Sequence, residues 1–241
     1  MPTFRHGKNV RIFVDEFDFS AYFNDMSAST TVDTAETSAF GTSAKTYIPG
    51  HKDGTVSLSG MFEGTADTGT DDFFSSVLGS STKQQVIIAP EGHTNGTRAI
   101  ALQADSTSYE ASSPIGDVVQ ASVEFQSNEG VEHGVILSSG SAVTATGNGT
   151  SVSNGAATTN GGVGFLSVPA NDRNGAITVK IQQSADDATF TDLITFTAVS
   201  TETATFERVE VTGTVQQYLR VNYTVAGSSG SATPVVAFTR R

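Results

Sequence analysis

Four histidines are the side chains of this sequence best suited to acid–base or metal chemistry near neutral pH. None has a second histidine at metal-ligand spacing, and none sits in a zinc-protease motif. A serine nucleophile would need a sharp turn of the G-x-S-x-G type, which the sequence lacks. We therefore interpret the histidines as exposed turn residues: His6, His51, His93 and His133.

Two short acidic runs could hold a cation or act as a carboxylate pair. The first, Asp15-Glu16-Phe17-Asp18, is not followed by the Asp-x-Asp-x-Asp-Gly pattern of a calcium loop, so a solvated hairpin tip is the better interpretation. The second, Asp186-Asp187, indicates a turn, although a β-sandwich face that binds calcium or a sugar stays open there. We expect no cofactor, no metal site and no enzymatic activity.

The composition narrows the function further. There is no cysteine, which excludes a disulfide scaffold, a cysteine zinc site and thiol catalysis. No apolar run approaches the roughly 20 residues of a membrane span, and the first residues lack the apolar core of a signal peptide. We therefore expect synthesis and folding in a cytoplasm, without export and without a membrane span.

The net charge of −12 is concentrated in the first part of the chain. Residues 1–137 carry seven Lys or Arg and eighteen Asp or Glu, whereas residues 138–241 carry six and seven. An acidic surface without a basic patch repels phosphate, so direct DNA binding is not expected.

Period-two alternation dominates the sequence and predicts an all-β fold in two domains. Residues 1–137 are expected to form a β-sandwich or barrel with one short helix, and residues 138–149 a Gly/Ser/Thr linker. Residues 150–241 are expected to form a second β-sandwich, immunoglobulin-like or jelly-roll-like. Its predicted strands are 163–168, 177–183, 193–198, 205–211, 218–225 and 233–238.

Two predicted strands and the helix have one apolar face each. The strands are 55–62 and 116–128, and the helix begins near Thr70 and ends before Gly79. The apolar faces predict the core of the first domain: Val56, Leu58, Phe62, Phe73, Phe74, Val77, Leu78, Val119, Val123 and Phe125. The opposite strand faces are polar: Ser57, Ser59, Gln120, Ser122, Glu124 and Gln126.

A long loop is predicted over 37–54, before the first of these strands. Loops of that length without structure of their own are usually functional or disordered. This one contains the turn pairs Pro49-Gly50 and Asp53-Gly54. Its candidate contact residues are Phe40, Lys45, Tyr47, Ile48, Pro49, His51 and Lys52.

The order of these elements resembles a known family. A hairpin (VRIFVDEFDFSAYFNDM) leads to a Thr-rich strand (TTVDTAETSAFG) and a loop ending in YIPGHKDG. The strand TVSLSGMFEG, the helix DDFFSSVL and a β-rich return ending in VVQASVEFQSNEGVEHGVIL follow. Over about residues 8–137 this plan resembles the major tail-tube proteins of long-tailed, siphovirus-type bacteriophages, and it is similar to the tubes of contractile tails and type VI secretion. The remainder, with SADDATFTDL and QYLRV, resembles β-sandwich extensions that decorate the tail exterior.

The resemblance implies a ring of six subunits, each giving about four strands to one closed barrel, with rings stacked into a tube. The polar strand faces would then line the channel, and the loop over 37–54 would contact the next ring. Implied partners are other copies of the chain and the tape-measure, tail-terminator and distal-tail proteins, while double-stranded DNA passes without specific binding. The implied location is the virion tail, assembled in the host cytoplasm.

An alternative stays open: a capsid decoration or tail-fibre protein, or an adhesin, whose β-sandwich binds a surface or a carbohydrate. That function would favour exposed aromatic platforms, and the chain has no tryptophan.

Overall fold

The computed structural model describes residues 5–41 and 43–241 and consists mostly of β-strands. The predicted all-β class is confirmed. A short 3-10 helix (Gly7–Asn9) precedes the strands, and one α-helix, α1 (Thr70–Val77), lies between β4 and β5. The strands are β1 (Arg11–Val14), β2 (Phe17–Asp18), β3 (Phe23–Glu36), β4 (Tyr47–Met61), β5 (Gln84–Ala89), β6 (Arg98–Ser112), β7 (Gln120–Ser127), β8 (Glu132–Ser139), β9 (Gly147–Asn148), β10 (Val152–Ser153), β11 (Gly162–Val168), β12 (Ile177–Ser184), β13 (Thr191–Thr195), β14 (Thr205–Val211), β15 (Tyr218–Val225) and β16 (Val235–Arg240).

The chain forms two compact units that do not follow the predicted division at residues 137 and 150. The sandwich unit comprises the residues up to Ser20, Gln85–Ala101 and Glu132–Arg241. The sheet unit comprises Ala21–Gln84 and Leu102–Val131. The division of the sequence into domains at 1–137 and 150–241 stays a prediction.

The predicted linker over 138–149 is held by strand pairing. Ser138 and Ser139 are the last residues of β8 and pair with Val236 and Val235 of β16. Further along, β9 pairs with β15. A run of small uncharged residues gave no period-two signal, so these pairings could not be seen in the sequence.

The sandwich unit has two sheets. One has the strand order β14-β11-β16-β8-β6-β5-β1-β2, and the other β10-β15-β12-β13 with β9 beside β15. Apolar residues of both sheets share one buried cluster, which includes Leu166, Ile181, Phe196, Val221 and Phe238. The predicted sandwich strands lie within two residues of the observed ones, except that β13 ends at Thr195.

Strand β11 is the centre of the sandwich unit. Leu166 and Val168 point into the inter-sheet cluster, whereas Val163 and Phe165 belong to a second cluster on the other face. The second cluster also contains residues of β1, β5, β6, β8 and β16. All seven residues of β11 are buried, because both faces of the strand are covered.

The sheet unit is a four-stranded antiparallel sheet in the order β3-β4-β7-β6. Helix α1 covers one face. Its Phe74 is fully buried and contacts the rings of Phe23, Phe73, Tyr109 and Phe125 at centroid distances of 5.0–6.3 Å. An aromatic cluster of this kind holds a helix that is too short to be stable by itself.

The predicted core residues are placed in three ways. Val56, Leu58, Phe74, Val123 and Phe125 are buried at 0–1% exposure, and the side chains of Phe62, Phe73 and Val77 are half-buried. Leu78 and Val119 are 44% and 37% exposed, so their prediction as core residues is wrong in the single chain. Leu78 caps the end of α1 with extended backbone, and Val119 precedes the first paired residue of β7, so neither follows the periodicity from which it was assigned.

The predicted loop over 37–54 is largely a hairpin. Strand β4 begins at Tyr47 and pairs with β3 along its whole length, from Glu36↔Tyr47 to Phe23↔Gly60. Strand β7 pairs with β4 only from Thr55 onward. We call the remaining two-stranded part, residues 29–54, the arm. The residues of the arm that the structure describes are exposed on both faces apart from Gly54, so the alternation that marks a strand is missing there.

The start of β3 is irregular. The strand begins at Phe23, and its pairing with β4 bulges between Phe23 and Asp25. The chain just before β3 lies very close to residue 60 of β4. Only glycine fits at this position, because a Cβ there would lie 2.1 Å from the Tyr22 carbonyl oxygen.

The predicted solvated hairpin tip is a hairpin, but Asp15 is not solvated. Strands β1 and β2 pair through Val14↔Phe17, and Asp15 has a positive φ of 52° in the turn. Its side chain is 6% exposed and accepts a hydrogen bond from the Gln85 backbone N–H at 2.7 Å. Burial, only partly offset by this hydrogen bond, raises the pKa of Asp15 to about 7.

Candidate assembly interface

The polar faces of the two predicted strands come together on one side of the sheet unit. Paired residues of an antiparallel sheet point to the same face. Glu124 pairs with Ser57 on one side and Ser108 on the other, and Ser122 pairs with Ser59 and Glu110. We call this face the polar wall: Asp25, Ser27, Ser29, Thr55, Ser57, Ser59, Met61, Asp105, Ser108, Glu110, Ser112, Gln120, Ser122, Glu124 and Gln126.

The polar wall combines small hydroxyl groups and amides with carboxylates of one sign. Its charged members are Asp25, Asp105, Glu110 and Glu124, and its strand residues include neither Lys nor Arg. Lys83, just before β5, forms an ion pair of 2.6 Å with Asp105. Gln120, Glu124 and Ser59 are exposed, while Ser57, Ser122 and Gln126 are half-buried. A surface of this kind repels polyanions and offers them no hydrogen-bonded cationic anchor.

The wall continues into the base of the arm. The Gln126 side-chain amide donates to the Asp53 carboxylate, and also to the Gly54 carbonyl at 3.3 Å. Gly54 is buried there, and a Cβ would lie 2.6 Å from Val131 and 2.8 Å from the Ser29 carbonyl oxygen. The last wall residue of β7 therefore fixes the point at which the arm leaves the sheet.

The opposite face of the sheet is tied to α1 by a polar contact as well as by its aromatic cluster. The Tyr109 hydroxyl donates to Asp71 at 2.9 Å. Desolvation and the Asp71 carboxylate both raise the pKa of Tyr109, so the phenol stays a donor. One face of the sheet is thus complete within the chain, and the other is left open.

The candidate contact residues predicted for the loop all lie in the arm. Tyr47, Ile48, Pro49, His51 and Lys52 belong to β4, and Phe40 and Lys45 to the connection before it. The connection is closed by a Thr37–Thr46 backbone hydrogen bond of 2.8 Å and by an ion pair of 3.0 Å between Lys45 and Glu36.

The arm exposes large apolar side chains. Phe40 is fully exposed, and Tyr47, Ile48 and Val32 are 52%, 55% and 44% exposed. Four such residues on one two-stranded hairpin leave an apolar surface that the chain does not cover, a feature typical of an interaction site.

A second exposed apolar segment was missed by sequence reasoning. Residues 113–119, which we call the far loop, connect β6 to β7 and are exposed throughout. Ile115 and Val118 are 107% and 57% exposed. The signal was present as a Pro114-Ile115-Gly116 turn with an apolar residue at its centre, but residues 116–119 were predicted to be the start of the strand 116–128.

The side chains considered for chemistry do not form a site in the described residues. No group of three or more His, Asp or Glu residues there could hold a metal ion. The Asp186 carboxylate accepts hydrogen bonds from the Thr189 and Ala188 N–H groups, which lower its pKa to about 2, and from the Ser184 hydroxyl. No helix in the described ranges is long and apolar enough to cross a membrane.

The histidines differ from the prediction in part. His51 and His133 are exposed but lie in strands β4 and β8, and His6 caps the 3-10 helix by accepting from the Lys8 N–H. His93 is half-buried with its ring 6.1 Å from that of Phe13, and burial lowers its pKa.

Comparison with known proteins gives distant likenesses only. No protein-family model and no curated protein matches the chain. Among solved structures it is similar to a protein of the PVC sheath-tube complex, an extracellular contractile injection system (18% identity, 56% of this chain and 91% of the other, TM-score 0.43). It is also similar to the SPP1 tail tube protein (12% identity, 54% and 78%, TM-score 0.41). The SPP1 Dit protein, described as a hub adsorption apparatus of phages infecting Gram-positive bacteria, is similar over more of the chain (12% identity, 95% and 98%, TM-score 0.37). At these scores the likenesses carry no conclusion about function, which has to be argued from the chain's own surfaces.

Proposed function

We propose that this chain is a structural subunit of a phage-type tail tube. The observation that carries the proposal is the sheet unit, in which one face is completed by α1 and the other is a continuous polar wall whose strand residues include neither Lys nor Arg. An open sheet face of this kind suits the lining of a water-filled channel. Strand β3 pairs only with β4 in the described structure, so its outer edge is available to a neighbouring copy.

Barrel geometry supports the size of the channel. Six copies that each contribute β3, β4, β7 and β6 would form a barrel of about 24 strands. At about 4.8 Å between strands and a tilt of about 40°, the backbone diameter is about 48 Å. Side chains reduce the free diameter to roughly 35–40 Å, which admits a DNA duplex about 20 Å across.

The polar wall supports DNA passage rather than DNA binding. Carboxylates on the wall repel the phosphates, and hydroxyl and amide groups keep a layer of water between protein and DNA. In such a channel the duplex finds no cation with which to exchange its counterions, so it slides. In this proposal Ser57, Ser59, Ser122 and Glu124 face the channel, together with Gln120 and Gln126.

The sandwich unit has a complete core of its own and would be displayed on the tail exterior. Partners in the tail are other copies of the chain and the tape-measure, tail-terminator and distal-tail proteins. The subunit would be made and assembled in the host cytoplasm and act in the virion, without enzymatic activity.

Negative-stain microscopy of the purified chain tests the proposal. The expected result is rings or tubes with a channel of roughly 35–40 Å. Dispersed monomers at high protein concentration would contradict it and favour a decoration or adhesin function.

The direction of the polar wall has its own test, because the chain has no native cysteine. Glu124→Cys should react with a small maleimide in tubes but be shielded from a maleimide coupled to a large polyethylene glycol. Asp187→Cys, in an exposed turn of the sandwich unit, is the control and should react with both reagents. Equal reaction of Glu124→Cys with the large reagent, before and after assembly, would show that the wall does not face a channel.

A further inference from the structure

The sheet unit carries few positive charges. Its sequence contains no arginine and these lysines: Lys45, Lys52 and Lys83. Lys45 forms an ion pair with Glu36 in the connection of the arm. Alternation along β4 places Lys52 on the same face as Val56, opposite to the polar wall. Lys83 is therefore the lysine through which the wall could hold a polyanion.

Asp105 holds the ammonium group of Lys83 at the polar wall. The Lys83 Nζ lies 2.6 Å from both carboxylate oxygens of Asp105. Asp105 belongs to the wall because it pairs with Gln126, which pairs with Thr55 at the end where the arm leaves the sheet. The side chains of Lys83 and Asp105 are 38% and 33% exposed. A solute at the wall could therefore reach Lys83 if the pair were broken.

The surrounding chain fixes both partners of this pair. Gln84 follows Lys83 and is buried, and its side-chain oxygen accepts a hydrogen bond from the Ser106 N–H at 3.3 Å. Hydrogen bonds from Lys83 and from the Asn128 side chain lower the pKa of Asp105, so its carboxylate is ionised at neutral pH. An ion pair that is this exposed adds little to stability. Its main effect is on the charge that the wall presents.

An unpaired lysine would change how the wall interacts with DNA. A lysine that contacts a phosphate releases a counterion, and each such contact adds about 0.9 to the slope with which log K falls against log salt concentration. In the proposed tube every copy contributes one Lys83, so the same contact would recur around each ring and along the whole channel. Such a series of contacts would retain a duplex that has to slide.

We propose that Asp105 keeps the polar wall free of an accessible cation by holding Lys83. Asp105 is a positioning residue, because it acts through the lysine whose charge it neutralises and does not itself contact DNA. This inference rests on the proposed tail-tube function and adds the residue pair on which free sliding of the DNA depends.

Retention of DNA by assembled tubes tests the proposal. Tubes of the native chain and of Asp105→Asn are incubated with a short fluorescent DNA duplex at low salt and sedimented. Asp105→Asn keeps the shape of the side chain but removes its charge, so it should retain roughly tenfold more duplex, and added salt should abolish the difference. The double variant Lys83→Gln, Asp105→Asn should return to the native level. Native-level retention by Asp105→Asn, or high retention by the double variant, would overturn the proposal.

Asp192→Asn is the matched control for this measurement. Asp192 holds Lys180 in an ion pair of the same length, 2.6 Å, in the sandwich unit. The substitution removes the same charge from the chain but frees a lysine that does not belong to the wall, so retention should stay near the native level. As much duplex on Asp192→Asn tubes as on Asp105→Asn tubes would overturn the role of the wall pair.

A measurement on the free subunit separates this inference from the proposed function. Brief acetylation with acetic anhydride, followed by mass spectrometry, reports which lysines the reagent can reach. Lys83 should react several-fold faster in Asp105→Asn than in the native chain, with Lys180 unchanged as the internal reference. Equal rates for Lys83 in the two chains would overturn the inference, because Asp105 would not hold the lysine in solution. If Lys83 reacts as expected but the native chain forms neither rings nor tubes, it is the proposed function that fails, and the role of the pair in DNA passage fails with it.

Discussion

The two units of this chain differ in how far their strands are buried. In the sandwich unit every residue of β11 is buried, and Arg173 is fully buried. In the sheet unit, β3 and β4 are the longest pair of strands, yet nearly all their residues from 29 to 53 are exposed. The sandwich unit covers both faces of its central strand within one chain, whereas the sheet unit leaves a polar wall and an arm exposed.

In the proposed function this contrast separates stability from assembly within a single polypeptide. Changes in the sandwich unit should lower the free energy of unfolding without a specific effect on assembly. Changes in the arm should impair assembly and leave the free energy of unfolding unchanged. Four predictions test the separation, in order of decreasing expected effect.

The largest effect is expected from shortening the arm. Thr31 and Asp53 are paired neighbours, so an Asn-Gly turn between them can replace residues 32–52. Because those residues are exposed, the subunit should keep its circular dichroism and thermal unfolding but lose tube formation completely. Microscopy and sedimentation measure the loss, and tubes of normal length would contradict the assembly role of the arm.

The next effect concerns the core of the sheet unit. Phe74→Ala removes a fully buried ring from the aromatic cluster and should destabilise the protein by about 3–5 kcal/mol. Leu78→Ala on the same helix is the control and should cost less than about 1 kcal/mol, because Leu78 is 44% exposed. Urea unfolding measures both, and similar losses for the two variants would show that Leu78 is buried in solution.

Arg173 gives the corresponding test in the sandwich unit. Its guanidinium is buried and donates to the carbonyl oxygens of Val143, Thr144, Gly230 and Ala226 at 3.0–3.3 Å. Arg173→Leu removes the donor to these oxygens, although Val143 still accepts from the Ala232 N–H at 3.2 Å, and should cost roughly 3 kcal/mol.

The control for Arg173 is Arg220→Leu on an outer sheet face. Arg220 lies 3.8 Å from the centre of the Phe190 ring and donates to Gln182, and its loss should cost roughly 1 kcal/mol. An equal cost for the two variants in urea unfolding would contradict the structural role assigned to Arg173.

The smallest effect depends on pH. The pKa of Asp15 is raised from 3.8 to about 7, so between these values the folded state binds more protons than the unfolded state. The free energy of unfolding should therefore fall as the pH rises through this window. Asp15→Asn keeps an acceptor for the Gln85 N–H and tolerates the positive φ, so it should add on the order of 1–3 kcal/mol at about pH 8 and little at about pH 4.

Asp187→Asn is the matched control for this measurement. Asp187 also has a positive φ, 58°, but is exposed. Its substitution measures the effect of replacing Asp by Asn at a positive-φ turn position without burial, and this effect is subtracted from that of Asp15→Asn at each pH. A gain for Asp15→Asn that does not depend on pH would show that the carboxyl group is ionised in the folded state.

Much of the sandwich unit could be predicted because burial alternates along its strands. In β12 and β15 the inward residues Val179, Ile181, Leu219 and Val221 alternate with polar ones, and the predicted strand limits lie within one residue of the observed ones. The arm could not be predicted as a hairpin for the opposite reason. With solvent on both faces, β3 and β4 beyond Gly54 have no apolar periodicity, and Pro49-Gly50 favours a turn.

The open surfaces were predicted only in part. Alternation in β4 and β7 placed Ser57, Ser59, Ser122 and Glu124 on one face, but whether that face lines a channel is still a prediction. Burial of Asp15 depends on Gln85, which is 70 positions away, and nothing local in the sequence indicates it. Val119 and Leu78 were wrongly predicted to be buried, because apolar residues at the ends of elements can be exposed.

In the proposed function the arm has a consequence for the kinetics of tube growth. A two-stranded hairpin without a third strand is barely stable in water, so its amides should exchange hydrogen rapidly in the free subunit and slowly in the polymer. Its conformational entropy is lost only when a docking surface is already present. Growth on an existing end should then be fast and the first stack slow, which gives a lag phase in light scattering that added tube fragments remove. A lag that persists in the presence of fragments would contradict this behaviour. Free subunits would then accumulate to high concentration before any tube begins, and an acidic chain is well suited to remain dispersed during that interval.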